Sequence, residues 1–362
     1  MKIVHANDVV YGYASGDPSA NGGAERYEWL LARALARAGW CVTVGVRKTL
    51  KAGERRAIDG VEFVGIGDGQ VLVAWHRFLV SERPDWWFWQ CADHWLGPAF
   101  AVARAAGVRT IFSAMHDRDV RPRQALFRRS RWWPLYAWGL RWSDRIFVQH
   151  REQLSQLPSH CRSKASVLPG IVDKVTEVKP HADREKYVAW VGVLRQPKRA
   201  DLLVEIARRA PEIRFVVCGG PTSFMCPPGY GERIVDALRS VPNIEYLGHV
   251  APDKTLLIIK DAALLLSTSD EEGFPSVFLE AWASGTPVVS LKIDPDRVIE
   301  RVGLGAVSGD VDGAITDIRD LMVSPTLRQE IAKRARRHVS ETHSELAVSS
   351  LFDRSIRQGG RD

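Results

Sequence analysis

Cysteine is scarce in this sequence of 362 residues, which has five cysteines and no pair of them at metal-ligand spacing. The odd count and the low number exclude the disulfide framework of small secreted domains. Cys41 and Cys218 lie in apolar, strand-like runs, where a free thiol acts as a small hydrophobic side chain. We therefore expect a protein of the reducing cytoplasm.

Long apolar runs are missing as well. No run of about 18 apolar residues could span a bilayer, and Met1–His5 leads directly into a predicted strand without a signal peptide. We therefore expect a chain that is either soluble or peripheral on the inner face of the cell membrane.

Several common binding motifs are also absent. The sequence has no GxGxxG fingerprint, no Walker Gly-Lys-Ser/Thr, and no Asp-x-Asp metal motif in a suitable loop, so we expect no metal and no bound cofactor. No helix-turn-helix, zinc-finger or RNA-binding aromatic motif is present, and we expect no nucleic-acid partner. The net charge of +7 leaves smaller anionic partners open, such as nucleotides, phosphorylated carriers or an acidic membrane surface.

Strand-like and helix-like runs alternate along the whole chain, which predicts βαβ units and parallel sheets. The alternation pauses in a polar, lysine-rich stretch at 171–184, which we interpret as an interdomain linker. We expect an α/β protein with two Rossmann-like, doubly wound domains facing a cleft, at 1–170 and 185–340. A C-terminal helix at 341–362 is expected to pack back on the first domain.

One stretch, Asp270–Glu280, contains the strongest functional signal. It follows an apolar strand, and Pro275 suits the start of a helix because its missing N–H costs nothing there. Glu280 is the only charged residue between Ser276 and Ser284, so its carboxylate must be paired or serve a ligand. With Glu272 at the helix mouth, where free N–H groups suit a phosphate, this pattern favours a nucleotide-sugar site. A loop glutamate and a buried structural ion pair are the alternative.

Two further loops could bind phosphate. Gly22 and Gly23 lie at a strand-to-helix junction, where glycine lets the backbone approach an anion, although a simple turn would also need glycine. Arg195, Lys198 and Arg199 crowd the start of another helix, which is unfavourable unless an anion lies there. A diphosphate would supply that anion, and a solvated basic turn is the alternative.

Three weaker candidates lie where predicted strands end. Gly219 and Gly248 follow strands that could line a nucleotide crevice. His116 follows a strand of the first domain, where it could act as an acid or base or contact an acceptor. A capping or packing role is equally open for His116.

A basic, tryptophan-rich segment at Arg128–Trp142 could lie on an anionic membrane. Leu135, Trp138 and Trp142 also share helical spacing, so a stripe that faces the protein core explains them equally well.

Together these motifs resemble the retaining glycosyltransferases of family four, which have the GT-B fold. Gly22-Gly23-Ala24-Glu25 is similar to that family's N-terminal glycine loop, Gly192–Lys198 to its diphosphate segment, and Glu272–Glu280 to its E-x7-E signature. The family needs no metal and uses a nucleotide-activated sugar as donor. One departure is Val193, which stands where the family has an arginine, so Arg195 would have to replace that contact.

The resemblance implies roles for the matching positions. Glu272 would contact the sugar together with Gly273, Phe274 and Pro275, and Glu280 would bind the ribose. Lys198 and Arg195 would hold the diphosphate, near Gly22, Gly23, Gly219 and Gly248, and His116 would lie near the acceptor. Glu272, His116 and Lys198 are the expected catalytic residues.

We therefore expect a retaining, metal-independent hexosyltransferase. It would act on a sugar, glycan or lipid-linked acceptor in cell-envelope, exopolysaccharide or glycolipid synthesis. The alternatives are a nucleotide-sugar epimerase or phosphorylase of the same fold, and an inactive partner subunit of a glycosyltransferase complex.

Overall fold

The computed structural model describes residues 1–17, 22–125, 130–223 and 226–358. The chain forms two compact units. The first comprises Met1–Ile171 and Glu345–Asp362, and the second comprises Val172–Ser344.

The first unit alternates strands and helices from its first residues. In chain order its elements are β1 (Lys2–Ala6), α1 (Asp8–Ser15), α2 (Gly23–Arg37), β2 (Cys41–Val46), β3 (Arg55–Ile58), β4 (Val61–Gly65), α3 (Val71–Glu82), β5 (Trp86–Gln90), α4 (Leu96–Ala105), β6 (Arg109–Ser113), α5 (Trp133–Trp142), β7 (Arg145–Val148), α6 (Arg151–Gln156), α7 (Ser159–Arg162) and β8 (Ala165–Val167). Two 3-10 turns, at Asp117–Val120 and Ser130–Trp132, lie between β6 and α5.

The strands of the first unit pair in the order β3-β4-β2-β1-β5-β6-β7-β8. All of these pairings are parallel except β3 with β4. Both faces of the sheet are apolar: Ile3 packs in the cluster that contains α1 and α2, and Val4 packs in the cluster that contains α3, α4 and α5. Helices cover both faces, as a parallel sheet requires.

The second unit continues the alternation. Its elements are β9 (Tyr187–Val191), α8 (Ala200–Arg209), β10 (Arg214–Cys218), α9 (Tyr230–Arg239), β11 (Ile244–Gly248), α10 (Pro252–Asp261), β12 (Leu264–Ser267), α11 (Ser276–Ala283), β13 (Val288–Ser290), α12 (Val298–Val302), β14 (Gly305–Val307), α13 (Val311–Val323) and α14 (Pro325–Thr342). Short 3-10 turns form at Gln196–Lys198 and Pro295–Arg297.

The second sheet is parallel throughout and has the order β11-β10-β9-β12-β13-β14. This order reverses between β9 and β12, so the loops that follow these two strands diverge at their carboxyl ends. In doubly wound sheets such a switch point is where ligands bind. The fold therefore selects the loops after Val191 and Ser267 as the place to look for a site.

The segment at 171–184 has neither helix nor strand, but it is not a separate linker. Val172 and Val175 are buried in a core cluster of the second unit. The His181 ring lies 2.8 Å from the Gly285 carbonyl, and Arg184 donates to the Ser284 carbonyl at 2.6 Å. These buried contacts fasten residues 172–184 to the second unit, in contrast to the prediction of a linker.

The last helix, α15 (Glu345–Gln358), belongs to the first unit. Arg33 on α2 donates to Glu345 at 2.7 Å, and the ring of Phe352 lies 5.1 Å from that of Phe147. Among the described residues, no helix combines the length and apolarity that crossing a membrane requires.

The predicted alternation is confirmed, and the structure adds a short helix between β1 and the glycine pair that the glycine- and serine-rich sequence there did not indicate. Asp8–Ser15 forms α1, whose first turn is capped when the Asn7 side chain accepts from the Val9 N–H at 3.0 Å. Val10 and Tyr11 of α1 are buried in the hydrophobic core of the first unit.

Candidate functional site

Two loops meet at the switch point of the second sheet. The Asp270 N–H donates to the Pro197 carbonyl at 2.8 Å, and the Thr268 hydroxyl donates to the Lys198 carbonyl at 2.7 Å. The Trp190 indole in turn donates to the Thr268 hydroxyl at 3.0 Å. These bonds fix the loop after β9 against the loop after β12, so residues that are 70 or more positions apart share one surface.

Lys198 and Glu272 form an ion pair on this surface. Burial raises the pKa of the Glu272 carboxyl, but the charge and hydrogen bond of Lys198, helped by Ser269 and Arg195, outweigh burial and bring the pKa below its ordinary value. Glu272 is therefore ionised at neutral pH. The structure thus brings two of the predicted site residues into direct contact.

The other cations of the first loop have different surroundings. Arg199 adopts a left-handed conformation with φ of 49° and donates to Asp201 and Asp270 at 2.8 and 3.0 Å. Hydrogen bonds to these carboxylates raise the pKa of Arg199. In contrast to the prediction, Arg199 and Lys198 need no external anion to relieve the crowding of three cations, because Asp270 and Glu272 of the second loop already neutralise them.

Arg195 remains beside this pair. Its Nε atom is buried and has no hydrogen-bond partner among the described residues. Its charge nonetheless contributes to lowering the pKa of Glu272, which places the guanidinium in the electrostatic field of the ion pair. Val193, two residues earlier, is 49% exposed and brings no charge.

Gly219 and Gly248 have structural reasons to be glycine. Gly219 has φ of 155°, and a Cβ there would lie 1.8 Å from the Gly192 carbonyl oxygen. Its N–H donates to the Gly248 carbonyl at 2.7 Å, and Gly248 has φ of 68°. These contacts let β9, β10 and β11 end close together at the same edge as Lys198 and Glu272.

The E-x7-E segment runs from this edge into the core. Gly273 and Pro275 are buried, and Pro275 is the N-cap of α11 rather than its first residue. Phe274 packs with its ring 6.2 Å from Trp282 and 5.3 Å from His343. Glu280 is buried on α11, as the apolar pattern around it predicted.

A cavity of about 630 Å³ adjoins the two loops on the side of β13 and β14. Arg199, Asp270, Lys292 and Asp310 contribute charged groups to its wall. The sequence reasoning missed Lys292 and Asp310. Lys292 directly follows an apolar strand run. A charged residue in that position is the same pattern that indicated the other loops.

In the first unit, Gly22 and Gly23 begin α2 and are exposed. Asn21, quoted with them in the sequence motif, lies outside the described residues. The Gly22 carbonyl accepts from the Tyr13 hydroxyl at 3.0 Å. Burial raises the pKa of Glu25 in the first turn of α2, and the charge of Glu28 adds to that rise.

His116 caps the 3-10 turn at Asp117–Val120. Its Nδ1 atom accepts from the Arg118 N–H at 3.1 Å, and Asp119 accepts from the His116 N–H at 3.1 Å. The structure thus gives His116 the capping role that was the alternative to function. The ring is only partly buried.

The first unit also contains two histidine–carboxylate pairs that the sequence did not indicate. His150 lies 2.9 Å from Asp117 after the neighbouring strand β7. His5 lies 2.8 Å from Glu28 within the core. Both histidines come at the carboxyl end of a strand, so the rule that selected His116 would have found them. Among residues 1–17, 22–125, 130–223 and 226–358, no cluster of three His, Cys, Asp or Glu side chains could hold a metal ion.

Two family models match the chain. The model described as "Glycosyl transferases group 1" matches residues 172–338, and the model described as "Glycosyl transferase 4-like domain" matches residues 22–169. The two matches meet close to the boundary between the two units.

Curated relatives carry related names. D-inositol 3-phosphate glycosyltransferase of Mycolicibacterium smegmatis is 27% identical over 248 residues, which are 64% of this chain and 54% of that protein. The enzyme of that name from Mycobacterium tuberculosis is 30% identical over 175 residues, which are 46% of this chain and 36% of that protein. The chain thus spans about half the length, or less, of these relatives.

Solved structures match over nearly the whole chain. Sucrose-phosphate synthase from Thermosynechococcus elongatus aligns with a TM-score of 0.78 at 15% identity, covering 99% of this chain and 98% of that one. Anabaena HepE in complex with UDP-glucose aligns with a TM-score of 0.73 at 14% identity, covering 99% and 100%. At these identities the likeness concerns the fold alone, and it confirms the predicted GT-B class with two Rossmann-like domains.

Proposed function

The chain belongs to the group 1 glycosyltransferases, and we propose that it is a retaining, metal-independent enzyme that moves a hexose from a nucleoside diphosphate donor to a hydroxyl group. The observation that carries this proposal is the pairing of Lys198 with Glu272 at the switch point of the second sheet. A cation and an ionised carboxylate lie side by side there, and they suit the diphosphate and the sugar hydroxyls of one donor.

The chemistry that we assign to these groups is mainly positioning and charge stabilisation. The Lys198 ammonium has three N–H groups, so it can donate to a phosphate without leaving Glu272. Arg195, whose Nε is buried without a partner among the described residues, supplies a second cation for the departing diphosphate. Glu272 accepts hydrogen bonds from the sugar, and Glu280 accepts them from the ribose.

The identities of donor and acceptor are part of the proposal. The HepE structure contains UDP-glucose, which makes UDP-sugars the first donors to test. The acceptor is a sugar, a glycan or a lipid-linked glycan of the cell envelope or of an exopolysaccharide, with His116 near its hydroxyl group. We place the enzyme in the cytoplasm, in peripheral contact with the membrane.

Release of UDP from UDP-sugars by the purified chain tests the proposal, with and without a panel of sugar and lipid-linked acceptors and in both the presence and the absence of EDTA. We expect release only in the presence of an acceptor, and a product whose anomeric configuration, read by NMR, matches that of the donor. Activity that disappears with EDTA and returns with manganese would contradict metal independence. An inverted anomeric centre would contradict retention.

The same experiment separates the two alternatives. An epimerase would convert the donor without any acceptor. An inactive partner subunit, which the exposed Val193 in place of the family arginine would favour, would bind no nucleotide sugar.

A further inference from the structure

Helices α4, α5 and α7 of the first unit contain no acidic residues. Helices α4 and α7 both pack on α5, so the three helices form one surface. Arg104, Arg131, Arg141 and Arg162 are all exposed on this surface. We call these helices, the 3-10 turn at Ser130–Trp132 that precedes α5, and their arginines the cationic surface. Asp144, which follows α5, is exposed at the edge of this surface, so the surface is predominantly rather than wholly basic.

Exposed tryptophans accompany the arginines. Trp132 and Trp138 are 40% and 36% exposed, which is unusual for the largest apolar side chain. The rings of Trp138 and Trp142 lie 4.2 Å apart, and the Arg104 guanidinium lies 5.2 Å from the Trp142 ring. Aromatic and cationic groups therefore form one continuous patch.

The core does not account for these tryptophans. The stripe of α5 that is buried consists of Tyr136, Gly139 and Leu140, so the interpretation of Trp138 as part of a core-facing stripe is wrong. A Cβ at Gly139 would lie 2.7 Å from the backbone nitrogen of Gly97, so α4 and α5 touch backbone to backbone. The patch therefore lies on two closely packed helices. Arg128 and Arg129, which the sequence motif included, lie outside the described residues.

We infer that the cationic surface docks on an anionic lipid bilayer. Tryptophan rings favour the headgroup level of a membrane, and arginines near it are attracted by anionic lipids. The Trp142 ring already contacts Trp138 and Arg104, which leaves it poorly placed to stack on a nucleic-acid base. This inference deepens the peripheral contact included in the proposed function, and it names the surface that makes that contact.

Flotation of the full-length chain with lipid vesicles tests this inference. The probes are vesicles of phosphatidylcholine alone and of phosphatidylcholine mixed with phosphatidylglycerol, at low and at high salt. We expect binding to the mixed vesicles only, weakened by salt because screening reduces the attraction between exposed charges. Removing two arginines with Arg131→Gln/Arg141→Gln should weaken binding roughly thirtyfold, since each cation contributes about a fivefold factor.

Two further variants sharpen the result. Arg301→Gln/Arg337→Gln removes the same charge from exposed positions of the second unit and should leave vesicle binding nearly unchanged. Trp132→Ser/Trp138→Ser should weaken the binding that remains at high salt, because insertion of the rings does not depend on charge. All variants should melt at the wild-type temperature.

Equal losses in the two arginine pairs would overturn the inference, as would a folded protein that floats with neither kind of vesicle. Binding to RNA in the absence of vesicle binding would assign the surface to a polyanion instead. Calorimetric binding of UDP-sugars is measured separately, so the failure of this inference is distinguishable from failure of the proposed activity.

Discussion

Replacing Lys198 by methionine should destabilise the second unit, because it leaves the Glu272 carboxylate buried without its cation. The two side chains are 16% and 10% exposed, so water solvates neither of them well. Removing one partner of a buried pair costs about 3–5 kcal/mol. Ser269 and Arg195 still stabilise the ionised carboxylate. We therefore expect the free energy of unfolding to fall by an amount at the lower end of this range, about 3 kcal/mol at neutral pH.

The pH dependence of this loss follows from the pKa of Glu272. Burial raises that pKa, but in the wild type Lys198 outweighs burial, so Glu272 contributes stability that is present above its unfolded pKa of about 4.3 and lost as the pH falls. In the variant, Lys198 no longer offsets the effect of burial, so the pKa of Glu272 should rise. The deficit should therefore be largest at neutral pH and shrink in mild acid, where the carboxyl group takes up a proton.

Urea unfolding followed by circular dichroism measures this deficit. The control is Lys333→Met, which breaks the exposed pair with Glu330 and should cost less than about 1 kcal/mol. The double variant Lys198→Met/Glu272→Leu should recover most of the loss, because it removes both charges together. A deficit no larger than that of Lys333→Met, or a double variant as unstable as the single one, would refute the reasoning.

Three other outcomes are expected. Gly219→Ala should cost about 3 kcal/mol, because its Cβ would lie 1.8 Å from the Gly192 carbonyl. Gly248→Ala has open space around it and should cost only about 1 kcal/mol for its positive φ, and equal losses in urea unfolding would contradict this contrast. Burial, with the charges of two neighbouring arginines, lowers the pKa of His181 to about 4. The protein should therefore be fully stable above pH about 6.5 and lose roughly 3 kcal/mol as the pH falls towards 4. His181→Asn should flatten this part of the stability profile, and an unchanged profile would exclude His181 as its cause.

Local patterns predicted the elements of the fold well, because both sheets are parallel and buried on both faces. Runs such as Cys41–Val46 and Arg214–Cys218 are recognisable from their apolar residues alone. The short helix at Asp8–Ser15 was missed although Asn7 is a good N-cap, because the glycines and serines around it favoured a loop.

The sequence alone could not predict which residues of the site contact one another. Lys198 and Glu272 were found separately, each from its position after a strand. Their contact depends on β12 lying beside β9 while β10 and β11 lie on the other side, and no local pattern specifies that order. For the same reason the pattern of crowded cations gave no sign of Asp270, which neutralises Arg199 from 71 residues away.

The binding of a nucleotide sugar at the carboxyl edge of the second sheet is the central claim of this account. Isothermal titration of UDP-glucose and related UDP-sugars into the wild-type chain and into Glu280→Gln tests it most directly. We predict that the wild type binds at least one of them. The folded variant, which has lost the Glu280 carboxyl group on α11, should bind it at least tenfold more weakly, as expected for the loss of a carboxylate hydrogen-bond acceptor. Equal affinity in the two proteins, or no binding of any nucleotide sugar by the wild type, would contradict it.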